Sequence, residues 1–121
     1  MTDSKVIAFI HATLRSVWAL ELLLLLKRDP SRFWPEADLI RELRGSQVAV
    51  RTALAELGTA GLVVQENGGS RYQPAASALD EAVQALEALY LARPMAVMRA
   101  VTSAPNQKLR IFSDAFKWRD S

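Results

Sequence analysis

The chain has 121 residues, 50% of them hydrophobic, and its 15 lysines and arginines against 13 acids leave a formal charge of +2. That size and apolar content suit one domain able to bury its own core, and a second full domain is not expected. With no cysteine and a single histidine, His11, the composition excludes disulfides, thiolate nucleophiles, cysteine-ligated zinc and histidine-rich metal sites, and it is compatible with a reducing cytoplasm.

From Ser4 to Arg28 the pattern is helical almost throughout, with Val6, Ile7, Phe9, Ile10, Leu14, Val17 and Trp18 forming an apolar stripe. Ser16 is placed to cap a separate second helix. Leu22 to Leu26 are apolar on every side, as in a central helix covered by several neighbours, and Pro30 ends the run. The stretch from Val6 to Leu26 is apolar enough to raise the question of a membrane span. His11, Arg15 and Glu21 lie within it, where charges are costly, so no span is expected. A secretory leader is not expected either. Asp3 falls where such a leader is positive, and no small-residue cleavage site precedes Lys27-Arg28-Asp29-Pro30.

Ser31-Arg32-Phe33-Trp34-Pro35 links to the next helix, which Pro35 opens and which carries Glu36, Ala37 and Asp38, with Phe33 and Trp34 expected to plug the core between the two helices. Leu39, Ile40 and Leu43 share one face of that helix. Gly45 then supplies a turn and Ser46 an N-cap. In the following helix Val50, Ala53, Leu54 and Leu57 keep the core rhythm, while Gln47, Arg51, Thr52, Ala55 and Glu56 take the other side. Gly58 and Gly61 are expected to close it. Residues 62–66 and 71–73 flank Asn67-Gly68-Gly69-Ser70, a cluster able to take positive φ at a hairpin tip.

After the break at Gln73-Pro74-Ala75-Ala76-Ser77, Ser77 with Asp80 is expected to start a helix whose apolar face is Leu79, Val83, Leu86, Leu89 and Tyr90, interrupted by Pro94. Met95, Val97, Met98 and Val101 continue the pattern to Ser103. Beyond Ala104-Pro105 a last helix sets Leu109, Phe112 and Phe116 together, near Ile111 and Trp118. The order of elements predicts a mainly α fold with a small β-hairpin. It is that of a winged helix-turn-helix domain (16–76), preceded by a helical arm (1–15) and followed by C-terminal helices (77–121).

In the spacing of Leu54, Leu57, Gly61, Leu62 and Val63, and in Arg71 just after the hairpin tip, the chain resembles the winged-helix transcription regulators, most nearly the MarR-like branch, over roughly residues 16–76. The resemblance implies a DNA-binding homodimer whose terminal helices build the two-fold interface. The alternative is that both termini fold back on their own domain. MarR-like relatives often bind a small-molecule effector between the dimer helices and the winged domain. Trp18, Phe33, Trp34, Tyr90 and the three methionines are candidates to line such a cavity, or belong to the core. The same helix and Gly-rich hairpin also occur in winged helices that bind proteins, which makes a protein-interaction module without DNA binding the rival reading.

If duplex DNA is the partner, the recognition helix (46–57) enters the major groove and the wing (62–73) lies along the backbone or minor groove. That nominates Ser46, Gln47, Ala49, Arg51 and Thr52 in the helix and Arg71 at the wing. Gln47 suits adenine and Arg51 guanine, whereas Ser46 and Thr52 suit phosphate oxygens. Arg41 and Arg44 are candidates for phosphate contacts that set register. Each arginine has a plain alternative as a surface ion pair, as with Arg41 beside Asp38 and Glu42. Between Arg28 and Arg71 six arginines meet six acids, so the motif is neutral. The excess lies from Arg93 onward, where six basic residues interleave with apolar ones against Asp114 and Asp120, a pattern read most simply as a solvated helix face, the alternative being added DNA-backbone contacts in a dimer. Gly68 and Gly69 form no phosphate cradle, because no lysine follows and no helix begins there. His11, on a mostly apolar helix, is expected to be a packed or interfacial side chain rather than a metal ligand. No catalytic arrangement and no cofactor motif is present, and neither an enzyme nor a cofactor is expected.

Overall fold

A computed structural model describes residues 2–103 of the chain. Ser16 divides the N-terminal apolar run in two. Helix α1 (Asp3–Thr13) ends at Leu14, which is extended, and the Ser16 hydroxyl then accepts a hydrogen bond from Ala19 N at 3.1 Å to open α2 (Val17–Arg28). The two helices are bent by 107° at this break, and no single helix among the described residues is long and apolar enough to cross a membrane. Much of their apolar surface is instead buried within the chain. Val6, Ile10 and Leu14 join Leu20, Leu22, Leu23 and Leu26 in the same core as the helices that follow.

The protein is mostly helical with a small three-stranded antiparallel sheet. One strand was not anticipated. Trp34–Pro35 forms β1, which pairs with β3 (Gly69–Tyr72), and β3 pairs in turn with β2 (Val63–Glu66), giving the order β1-β3-β2. Pairing turns successive side chains to opposite faces. Trp34 is accordingly buried at 7% exposure while Phe33 stays outside at 39%, so only one of the two aromatics enters the core. At the hairpin tip Asn67 and Gly68 take φ of 50° and 78°, the left-handed pair that a two-residue turn requires.

Helix α3 (Glu36–Leu43) has Pro35 at its N-cap position and two acids, Glu36 and Asp38, in its first turn, where the helix dipole favours them. Gly45 lies in the turn as expected, its N–H donating to Ile40 O at 3.1 Å, but the left-handed residue is Arg44, with φ 55°; a Cβ built on Gly45 would stand 3.0 Å from Trp18 Cζ3. Helix α4 (Gln47–Thr59) starts at Ser46, whose hydroxyl accepts from Ala49 N at 3.0 Å. Gly58 lies inside this helix rather than closing it; the chain turns at Gly61, with φ 78°.

Helix α5 (Ser77–Ala92) begins without a side-chain cap, since Ala76 takes the N-cap position that Ser77 was expected to fill. It ends before Pro94, and residues 94–103 form a further helical segment, α6, that buries Val97 and Val101. Helix α2 packs against α3, α4 and β3, and α1 against α5. The last helix anticipated from Leu109, Phe112 and Phe116 lies outside the described residues.

Candidate nucleic-acid interface

Four residues hold α4 in place: Val50, Ala53, Leu54 and Leu57 are buried, and the helix packs against α2, α3 and β2. With about 3.6 residues per turn, the direction opposite those four carries Val48, Thr52, Ala55 and Thr59, all exposed. Ser46, Gln47, Arg51 and Thr52 are therefore brought together on the free side of the helix and its N-terminal turn. Ala49 is the exception among the nominated positions. It is half-buried, on the flank, while Val48 beside it is 74% exposed. The signal for Val48 was available: counting back two residues from Val50 rotates to the outer face. Its hydrophobicity disguised it.

Arg51 does not stand free. Its Nε donates to Glu36 Oε1 at 2.9 Å, which ties α4 to the first turn of α3. Glu36 also lines a cavity of about 190 Å³ with Leu54 and the hairpin residues 65–70, so Arg51 is held toward the hairpin side of α4. Arg41 donates to Asp38, and Arg32 reaches the same carboxylate at 3.5 Å while stacking 3.5 Å over the Trp34 ring. Arg44 is exposed on the turn between α3 and α4 and forms no ion pair among the described residues.

Arg71 sits apart from this group. Ser70 and Tyr72 on either side of it are buried, so the pleat turns Arg71 to the outer face of the sheet. There its guanidinium lies 4.5 Å from the Phe33 ring centroid and donates to the Gln73 side chain. The hairpin itself is fixed from the inside. The Tyr72 hydroxyl donates to Asp80 Oδ1 at 2.6 Å, and Gln84 Nε2 donates to Asp80 Oδ2 at 2.7 Å. These bonds, the one from Tyr72 foremost, hold the Asp80 carboxyl below its usual range; burial first and then the bond to Asp80 push the Tyr72 phenol well up.

Two further cavities bear on the site. One of about 360 Å³ runs between the end of α1 and the outer face of α4, lined by Thr13, Arg15, Thr52, Ala55 and Thr59 among others. Arg15 thus joins the α4 face, a neighbour that only the bend between α1 and α2 creates and that no local pattern announces. The other lies between α1 and α6, where His11 Nε2 and Ser103 Oγ are 3.0 Å apart. The aromatic residues nominated for an effector cavity are dispersed. Phe33 lines a hollow at the hairpin tip and Tyr90 one between α2, α3 and α5, Trp34 is in the core, and Trp18 covers Gly45.

No protein-family model, curated protein or solved structure matches this chain.

Proposed function

We propose that the chain is a winged helix-turn-helix protein that binds double-stranded DNA as a homodimer and regulates transcription in the cytoplasm. The observation that carries this reading is α4 itself. It follows α3 across a short turn, buries one side completely, and leaves Ser46, Gln47, Val48, Arg51 and Thr52 open from its N-terminus, with a two-residue-turn hairpin directly after it. In this reading α4 enters the major groove. Gln47 and Arg51 meet base edges, Arg44 and Arg41 meet phosphates, and the β2–β3 hairpin lies beside the duplex.

The charge pattern adds a constraint. Arg32, Arg41 and Arg51 are each paired with an acid, so the sequence-independent attraction to phosphates rests on a few cations such as the exposed Arg44. Discrimination must then come from direct contacts with bases more than from general affinity. Leu91 and Met95, both exposed where α5 meets α6, support the placement of a two-fold contact near that elbow.

Binding of the purified protein to a random duplex pool at two salt concentrations, followed by sequencing of the recovered fragments, tests the reading. Enrichment of a two-fold symmetric motif with salt-sensitive affinity is the expected result. Failure to retain any duplex at low salt overturns it and favours the second reading, a winged-helix module that docks on a protein. That reading draws on the same paired arginines and the uncharged outer stripe of α4.

A further inference from the structure

Val48 occupies the second position of α4, 74% exposed, on the side turned away from the core. Five large hydrophobic side chains are exposed among the described residues: Trp18, Phe33, Val48, Leu91 and Met95. Trp18 covers Gly45 and Phe33 stacks with Arg71, so both have local work in the fold. Leu91 and Met95 lie at the far elbow between α5 and α6. Val48 alone stands on the free side of α4.

Folding gains nothing from a valine there. A β-branched residue on an exposed helical position is a poorer helix former than alanine, because its χ1 freedom is lost against the preceding turn. Its surroundings are polar. Gln47, Arg51 and Thr52 are all exposed around it, and Ser46 caps the helix just before it. One branched aliphatic group set among hydrogen-bonding side chains is a poor anchor for a protein partner, whose central contacts are typically aromatic or arginine side chains in a desolvated pocket. It is a good match for the one apolar feature of the major groove, the 5-methyl group of thymine, which sits among the donors and acceptors of the base edges.

We infer that Val48 reads a thymine, its γ-methyl groups packing on the 5-methyl while Gln47 and Arg51 contact neighbouring bases. This assignment rests on the DNA-binding reading of α4 and adds to it a base that no hydrogen bond would specify. Thr52, one turn further along the same face, borders the contact.

The test uses the preferred duplex recovered from the random pool, with each thymine replaced singly by deoxyuridine, which lacks only the 5-methyl group. At one position the unsubstituted protein should lose affinity about fourfold, the equivalent of one buried methyl group. Val48→Ala, which keeps only the β-methyl, should narrow the gap between the thymine and uridine duplexes at that position, with unchanged melting behaviour and the remaining thymine positions unaffected. Uniform tolerance of uridine by the native protein, or discrimination undiminished in Val48→Ala, overturns the assignment while leaving DNA binding intact. Recovery of no duplex at all overturns the DNA reading and Val48 with it.

Discussion

The Tyr72 hydroxyl donates to Asp80 Oδ1 at 2.6 Å, fastening the last strand of the sheet to the first turn of α5. Tyr72→Phe removes the donor and keeps the ring in the core. The expected cost is about 1 to 2 kcal/mol, the lower part of the range for a bond to a charged acceptor, because Asp80 is only partly shielded from water. Urea unfolding followed by circular dichroism reads this loss as a lower midpoint at unchanged slope.

The same bond sets a pH dependence. Asp80 titrates below its ordinary value of 3.8 when folded, so its contribution is complete above that value and is lost as pH falls through the lower folded one. Tyr72 is shifted the other way, above its ordinary 10.0. Its contribution is complete below that pH and declines as the medium becomes more alkaline. Urea midpoints taken between about pH 2 and 5 should fall less steeply toward acid in Tyr72→Phe than in the native protein.

Leu57 is fully buried in the face of α4 that meets the core. Leu57→Ala should destabilise the protein by about 2 to 5 kcal/mol, the range for a large-to-small change that leaves a cavity. An unchanged melting temperature would remove Leu57 from the core.

Two glycines near the end of α4 should respond with opposite signs. Gly58 is helical with open space around its Cα, so Gly58→Ala should stabilise by up to about 1 kcal/mol. Gly61 sits at φ 78°, and a Cβ there would meet the Ala75 Cβ at 3.4 Å. Gly61→Ala should cost about 1 to 2 kcal/mol, the usual penalty of a left-handed alanine. Paired thermal melts of the two variants check both signs.

For the Arg51–Glu36 pair, stability is not the useful readout, since an exposed ion pair contributes little. Arg51→Ala should lose about 1 to 3 kcal/mol on the preferred duplex and little on random sequence. Glu36→Gln should raise affinity for both, by removing a negative charge near the phosphates. Fluorescence anisotropy at two salt concentrations separates these outcomes, and equal losses on both duplexes for Arg51→Ala would make it a phosphate contact.

What could be read from the chain was what local chemistry determines. Ser16 and Ser46 announce their helices because a hydroxyl before an apolar period satisfies a free amide, and Asn67-Gly68 announces its turn because few other pairs accept two positive φ values. What stayed hidden depends on contacts distant in sequence. The two-residue strand Trp34–Pro35 is too short to show alternation and exists only because β3 is there to pair with it. The left-handed conformation of Arg44 is likewise illegible, because the glycine beside it is the usual residue for that conformation and only the folded turn shows which of the two adopts it. On the candidate site, the outward position of Gln47, Arg51 and Thr52 followed from helical period. The ion pair that restrains Arg51, and the approach of Arg15 to α4, needed the tertiary fold.

Pro35 at the outer edge of the sheet has a bearing on assembly. A proline has no amide hydrogen to give, and β1 is only two residues long, so a foreign strand cannot extend the ladder through this position. Strand addition on that side is blocked at its first step. The opposite edge, β2, ends in Gln65 and Glu66, both exposed, and a charge there discourages stacking of like strands. Growth of the ladder by added strands is thereby disfavoured at both edges, and the three-stranded sheet is self-limiting.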